Sequence, residues 1–430
     1  MNILHTITKL RRGEVDLLKY VRSLCDRIEA EDPKIHALVP GTFDRARCLK
    51  QVSRLLEQYP DPETRPLLFG VPVGVKDIFR VAGYPTQAGC KLPAELFEGK
   101  EATCVSRLRV AGAIIMGKTE TTEFAWMEPG PTRNPHHLEH TPGGSSSGSA
   151  AGVAAGFFPF ALGTQTAGSI TRPAAYCGIV GFKPTFGRIP ASGVIPFSPS
   201  ADHVGFFCED PSGVGIFASV LAEEWQLPFE SAPQGRPVLG VPEGPYLDQA
   251  AENAREYFER GLMKLIGAGY PIKRIDCLSA IETMNQCHRR MIAAEMARVH
   301  SVWFKSYGHL YRKRTVETIE QGLAISEAQL KRLRSGRLPF REELGQLMRS
   351  ERIDCWICPS ATDHAPPGLE STGSPTMNIP WTYAGLPTIS LPAGMDSSGL
   401  PLGIQLVGHY AKDEELVVCA EGLFPVLSGG

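Results

Sequence analysis

Between residues 141 and 188 the chain carries two runs of serine and glycine, Gly143-Gly144-Ser145-Ser146-Ser147-Gly148-Ser149 and Gly163-Thr164-Gln165-Thr166-Ala167-Gly168-Ser169. Serine hydroxyls are latent nucleophiles. Glycines let backbone N–H groups come close to a ligand, and a run of such groups forms a concavity that binds an anion. That suits the oxyanion that develops when an acyl carbon is attacked. Runs of this composition also serve as flexible linkers. Here they lie mid-chain, joined by the small residues 150–156 and the apolar residues 157–162, which reads as two loops connected by a helix and a short strand inside a fold.

A serine nucleophile needs a base. The chain has 11 histidines, so a Ser-His-Asp set is open on composition. Gly144-Ser145-Ser146-Ser147-Gly148 matches G-x-S-x-G letter for letter, with Ser146 at its centre. That elbow should follow a strand directly, whereas residues 134–142 are polar and contain prolines. The other candidate base is Lys76, at the end of the apolar run Gly70-Val71-Pro72-Val73-Gly74-Val75. A lysine buried at a strand end loses the stabilisation of its charge and its pKa falls, and a neutral amine accepts a proton. A lysine in such a place is also commonly a solvated surface residue.

These residues resemble the amidase signature family. The match takes in Val75-Lys76-Asp77, Gly143-Gly144-Ser145-Ser146, Gly168-Ser169-Ile170 and Gly181-Phe182-Lys183-Pro184-Thr185. It also includes Ala111-Gly112-Ala113, Gly117-Lys118-Thr119, Glu123-Phe124-Ala125, Pro380-Trp381-Thr382, Gly385-Leu386-Pro387, Leu391-Pro392 and Gly403-Ile404-Gln405-Leu406-Val407-Gly408. The resemblance runs over about residues 10–425 and is least marked in the middle. It implies a Ser-Ser-Lys catalytic set: Lys76 as base, Ser145 as the bridging serine behind a cis peptide bond, Ser169 as nucleophile. The backbone N–H groups of Thr166, Ala167, Gly168 and Ser169 would form the oxyanion hole, Ser146 and Gly144 would support the relay, and Trp126 and Met127 fall where relatives place a loop near the substrate. The implied activity is hydrolysis of a carbon–nitrogen bond in a small or medium amide through an acyl-enzyme, with no metal or cofactor. Carbamates and urea derivatives belong to the same chemistry. A glutamine amidotransferase A-type subunit is a second reading, and a catalytically silent binding protein a third, against which intact Lys76, Ser145 and Ser169 speak.

The chain departs from the family pattern Asp-Thr-Gly-Gly-Ser-Ile-Arg. It has Gln165-Thr166-Ala167-Gly168-Ser169-Ile170-Thr171, with the arginine one place later at Arg172. The methyl of Ala167 would disfavour a positive φ, and the hydrogen bonding of the acid and arginine must be rearranged. Other motifs are set aside. Residues 112–119 match G-x-x-x-x-G-K-[ST], but the middle residues are themselves a strand-like run rather than a phosphate loop. Cys355-Trp356-Ile357-Cys358 has no second cysteine pair to complete a zinc site and reads as core. His136, His137 and His140 read as loop packing before Ser145, and residues 331–341 as a solvated basic helical face.

The elements that must position these residues alternate. Residues 13–58 read as helices, 67–75 as a strand, 101–111 as a helix, 113–116 as a strand, 238–241 as a strand, 250–350 as helical, and 354–358 and 403–407 as strands. This is an α/β protein, with a central mixed, largely parallel twisted sheet covered by helices on both faces. Residues 1–430 form a single domain, with a core at about 60–215 and 350–425 and a helical insertion or cap at about 216–349. The chain has 430 residues, a formal net charge of −2, 43% hydrophobic and 21% charged residues, which gives no electrostatic case for nucleic acid or an acidic membrane as partner. Its 11 cysteines lack framework spacing, its N-terminus lacks a secretory apolar run, and no stretch nears the roughly 20 apolar residues of a membrane span. The expected setting is cytoplasmic, the expected partner a small amide, with a homodimer allowed.

Overall fold

The apolar run ahead of Lys76 becomes strand β1 (Pro72–Lys76), every residue of which is buried. The structure, a computed structural model, describes residues 3–226 and 235–429. Strands β2 (Ile114–Thr119), β3 (Phe160–Gln165), β4 (Val180–Lys183), β5 (His203–Cys208), β6 (Leu239–Glu243), β7 (Ile272–Asp276), β8 (Cys355–Pro359), β9 (Thr388–Met395) and β10 (Pro401–Gly408) complete a ten-stranded sheet in the order β2-β1-β3-β5-β4-β9-β10-β8-β6-β7. The sheet is mixed, as expected. Its parallel pairings are at the flanks, β2-β1-β3 and β8-β6-β7, and its middle, from β3 to β8, is antiparallel. Successive residues of a strand point to opposite faces, so the unbroken burial of β1 to β5 and β8 means that both faces there are covered.

Residues 216–349 are not helical throughout. They also supply β6 and β7, and β7 forms an exposed edge. Strand β6 matches the strand expected at 238–241, whereas β7 and strands β4, β5 and β9 have no counterpart in the sequence reading, β4 having only four residues. The N-terminal helices have the expected apolar stripe. Leu17–Ile35 buries Val21, Cys25 and Ile28 and is capped by the Asp16 carboxylate, which accepts from the Lys19 amide.

The small residues after Ser146 form the helix Ser147–Ala154. A side chain at Gly148 would bring its Cβ to 2.1 Å from the Ala37 carbonyl oxygen, so only glycine lets this helix press so closely against the chain beside it. The second serine turn leads into the short helix Thr171–Cys177, which packs against β9 and β10. Among the described residues, no helix is long and apolar enough to cross a membrane.

The motifs set aside on sequence grounds have plain places in the fold. Residues 114–119 are β2, and Lys118 is buried there against Asp77 at 2.6 Å. Cys355 and Cys358 are buried in β8, with Cys355 Sγ 3.3 Å from Cys419 Sγ. The basic stretch needs a correction. Lys331, Arg332 and Arg334 are exposed, but Arg337 is buried, where it donates to the Tyr383 carbonyl at 2.8 Å and also to Ser200 O. Helical spacing turns that one arginine inward.

Candidate active site

Three segments far apart in sequence meet at Lys76. The end of β1 delivers the amine, the 143–147 turn delivers two hydroxyls, and neighbouring β3 delivers a third. Lys76 Nζ lies 2.7 Å from Ser145 Oγ, 3.0 Å from Ser146 Oγ and 2.9 Å from Thr164 Oγ1. Its side chain is 0% exposed, and no carboxylate hydrogen-bonds to it among the described residues. Burial holds the amine well below the ordinary lysine range, opposed only by the more distant charge of Asp202. The Gly144–Ser145 peptide bond is cis.

The hydrogen-bond directions around the amine can be worked out. Ser146 Oγ donates to the Thr164 carbonyl at 3.2 Å, so its proton is engaged and it accepts from Lys76. A neutral amine has two N–H donors and one lone pair. With Ser146 and Thr164 Oγ1 accepting the two N–H bonds, the lone pair is left for the hydroxyl proton of Ser145. The letter-for-letter elbow therefore has its central serine, Ser146, tied into β3 rather than presented to a ligand.

Ser169 sits four residues beyond β3, in the turn before Thr171–Cys177, and is 8% exposed. It lines a cavity of about 670 Å³ together with Ala167 and Gly168. No hydrogen bond joins Ser169 Oγ to Ser145 Oγ among the described residues. The turn is held from outside. Gln165 Oε1 accepts from the amides of Ile170 at 2.8 Å and Thr171 at 3.0 Å, and its Nε2 donates to Thr382 Oγ1 at 3.0 Å. The Ala167 carbonyl accepts from Thr382 Oγ1 and the Gly168 carbonyl from the Arg172 amide. The amides of Ala167, Gly168 and Ser169 take no part in these bonds. Gly168 has no room for a side chain, since a Cβ would lie 2.4 Å from Asn378 Oδ1. Ala167 is not at positive φ, so its methyl fits without strain.

Gln165 thus does by its side-chain amide what an acid at that place would do through a carboxylate. The displaced Arg172 reaches back instead. It is 4% exposed and donates from Nη2 to the Gly144 carbonyl at 2.7 Å and to Thr372 Oγ1 at 3.1 Å. Trp126 and Met127 both line the cavity, and Trp126 Nε1 donates to Thr318 Oγ1 at 2.7 Å. None of His136, His137 and His140 lines it.

Sequence reasoning missed several residues here. His288, on the helix Ile281–Val299, has one ring nitrogen, Nε2, 2.9 Å from the Thr166 carbonyl oxygen, so it donates to that oxygen as a neutral imidazole, and burial lowers its pKa to about 4. Asp202 accepts from Thr166 Oγ1 at 2.6 Å and is raised to about 6 by burial. Thr164 sits in β3 and Asp202 directly before β5, and neither carries a mark of its own in the sequence. His288 is more than a hundred residues from Ser169, and no local signal marks it.

The comparisons with known proteins agree with this architecture. The family model described as Amidase matches residues 19–417. The A-type subunit of the glutamyl-tRNA(Gln) amidotransferase of Synechococcus sp. strain WH7803 is 30% identical, over 96% of this chain and 94% of that protein. Among solved structures, one described as an amidase superposes with a TM-score of 0.90 at 30% identity, covering 99% of this chain and 100% of its own. A chain from a vestigial protein complex described as revealing the evolutionary origins of an s-triazine catabolic enzyme reaches 0.88 at 25% identity, covering 100% and 99%. The chain belongs to the amidase family and is an enzyme acting on amide carbon–nitrogen bonds.

Proposed function

We propose that the protein hydrolyses a small or medium amide through an acyl-enzyme on Ser169, with Ser145 and Lys76 as its proton relay. The observation that carries this reading is the buried amine of Lys76, held among three hydroxyls with its lone pair left to Ser145. Lys76 takes the Ser145 proton as Ser145 takes that of Ser169. Ser169 Oγ attacks the carbonyl carbon, and the amides of residues 166–169 receive the oxyanion, each such donor being worth roughly 3–4 kcal/mol in a studied protease. Ser145 then returns a proton to the departing nitrogen, and water repeats the sequence on the ester. The contact between the two serines closes as the substrate is bound; catalytic hydrogen bonds are commonly long before binding. Carbamates and urea derivatives present the same carbonyl to the same groups.

The test is labelling by a serine-reactive fluorophosphonate together with turnover of an amide, carbamate and urea panel. Ser169→Ala should lose the label and essentially all turnover while keeping the wild-type circular dichroism and melting curve. Labelling that persists at another serine would end this assignment. A second reading has its own support, since relatives at 30% identity, named as the A-type subunit of glutamyl-tRNA(Gln) amidotransferase, match nearly the whole chain. In that case the nitrogen released from glutamine would pass to a partner chain, and the tagged protein would copurify with further subunits that raise its glutaminase rate.

A further inference from the structure

The cavity in front of Ser169 is lined by Arg172, Arg289 and Arg314, with Glu317 as the single acid among the described residues of its wall. This is a positive lining in a chain whose formal net charge is −2. Glu317 lies 3.9 Å from Lys313 on the same helix, Lys313–Leu323, and forms no ion pair with the three arginines among the described residues. Arg289 projects from Ile281–Val299 directly after His288 and makes no hydrogen bond or ion pair to a described residue. Arg314 donates from Nη1 to the carbonyl of Glu370 at 2.8 Å and reaches that of Met127 at 3.5 Å, neutral acceptors both.

Arg172 is the most telling. It is buried, its acceptors are a carbonyl and a hydroxyl, and its Nε has no partner. Burial lowers its pKa to about 10, with only the nearby Tyr176 opposing. A buried cation without a counter-charge is costly, and here the open side of that cation is the substrate cavity. Charge-assisted pairing between guanidinium and carboxylate is the strong form of this contact.

We infer that the substrate carries a carboxylate, held by Arg289 and Arg314 in the wall and by the field of Arg172 beside the nucleophile. The inference rests on the amide-hydrolase reading and names the substrate class for that site. The carboxylate can belong to the acyl part or to the leaving amine.

Matched pairs separate those two sources: succinamate against butyramide for the acyl side, N-butyrylglycine against N-propylbutyramide for the amine side. On one side or the other, the charged member should show kcat/KM roughly tenfold or more above its uncharged partner, with a gap that narrows as salt is raised. In Arg289→Gln/Arg314→Gln that ratio should fall by roughly tenfold. Equal or better cleavage of both neutral members by the wild type, or a ratio unchanged in the double variant, would overturn the inference. A parallel calorimetric titration of Ser169→Ala with succinamate and butyramide reads charge recognition without turnover. Preferential binding of succinamate that the arginine replacements remove supports the inference even where no amide is cleaved, in which case it is the hydrolase reading that fails. No such preference for either carboxylate in titrations of all four compounds sinks the inference alone.

Discussion

A lysine amine with three hydroxyl neighbours, and no carboxylate bonded to it among the described residues, is an unusual base for the proposed reaction, and its pH behaviour follows from that setting. Its folded-state pKa lies below the ordinary value because burial penalises the charged form. The amine is therefore neutral and competent at higher pH, and it is silenced as pH falls through the lowered pKa. With chemistry rate-limiting, kcat should decline toward acid pH, and a profile flat from about pH 5 to 9 would contradict the neutral-lysine role. Replacement by a residue of similar volume separates chemistry from folding. Lys76→Met should lower turnover by roughly 10²–10⁴-fold, with a melting temperature lowered by the buried hydroxyls that lose the amine but a cooperative unfolding transition retained. Lys76, Ser145 and Ser169 stood out in the sequence through the resemblance of their motifs to the amidase signature family, since each local run taken alone also reads as a linker or a solvated strand end. What could not be read was their environment. Thr164, which completes the ring around the amine, carries no mark of its own, and the direction of the Ser146 bond exists only once β3 is beside it.

At the level of elements, the turn from β3 into Thr171–Cys177 hangs on one side chain. Gln165 Oε1 accepts two amides and the Thr171 hydroxyl. In Gln165→Leu those buried donors lose their acceptor, at about 1–3 kcal/mol each. Stability in urea should fall by about 3 kcal/mol or more, and kcat should fall more than KM rises, because the loosened turn carries the proposed oxyanion donors. The same turn is tied to the Ile281–Val299 helix by His288, which stays neutral because burial lowers its pKa to about 4. The unfolded chain would take up a proton at His288 below about pH 6.5 and the folded one would not. Its contribution to stability is therefore complete above that pH and shrinks as pH falls toward 4. The stability gap between wild type and His288→Gln should narrow by ~2 kcal/mol between pH 7 and pH 5, as measured by urea unfolding at each pH. Strands bearing continuous apolar residues (β1, β2, β8) were legible before the structure. Strands β4, β5 and β9 were not, since they pair in the antiparallel middle of the sheet and owe their strand form to neighbours rather than to a periodic pattern of their own.

Over the whole molecule, the run 181–188 turns out to serve architecture. Asp413, at the start of the C-terminal helix Asp413–Ser428, accepts from the Thr185 amide at 2.7 Å, from Thr185 Oγ1 at 2.6 Å and from Arg188 Nη1 at 3.0 Å, and is fully buried. Asp413→Ala leaves the Thr185 amide and hydroxyl without their acceptor, while Arg188 keeps its pairing with Glu414, and should cost about 2–4 kcal/mol in denaturant unfolding without shifting the acid limb of the rate profile. The sheet expected from alternating elements is present, but the chain returns to it twice from within residues 216–349, at β6, where a strand is expected over 238–241, and at β7, inside the stretch read as helical. A cap and a sheet edge share one segment, and hydrophobic periodicity alone does not separate them. The proposed reaction groups stand on β1, on the 143–147 turn and beyond β3, whereas much of the cavity wall comes from Ile281–Val299 and Lys313–Leu323. Descendants of this chain could therefore change diet without relearning how to cut: varying positions 289, 292, 314 and 317 together should yield proteins that accept different amides while every one still takes the fluorophosphonate label at Ser169.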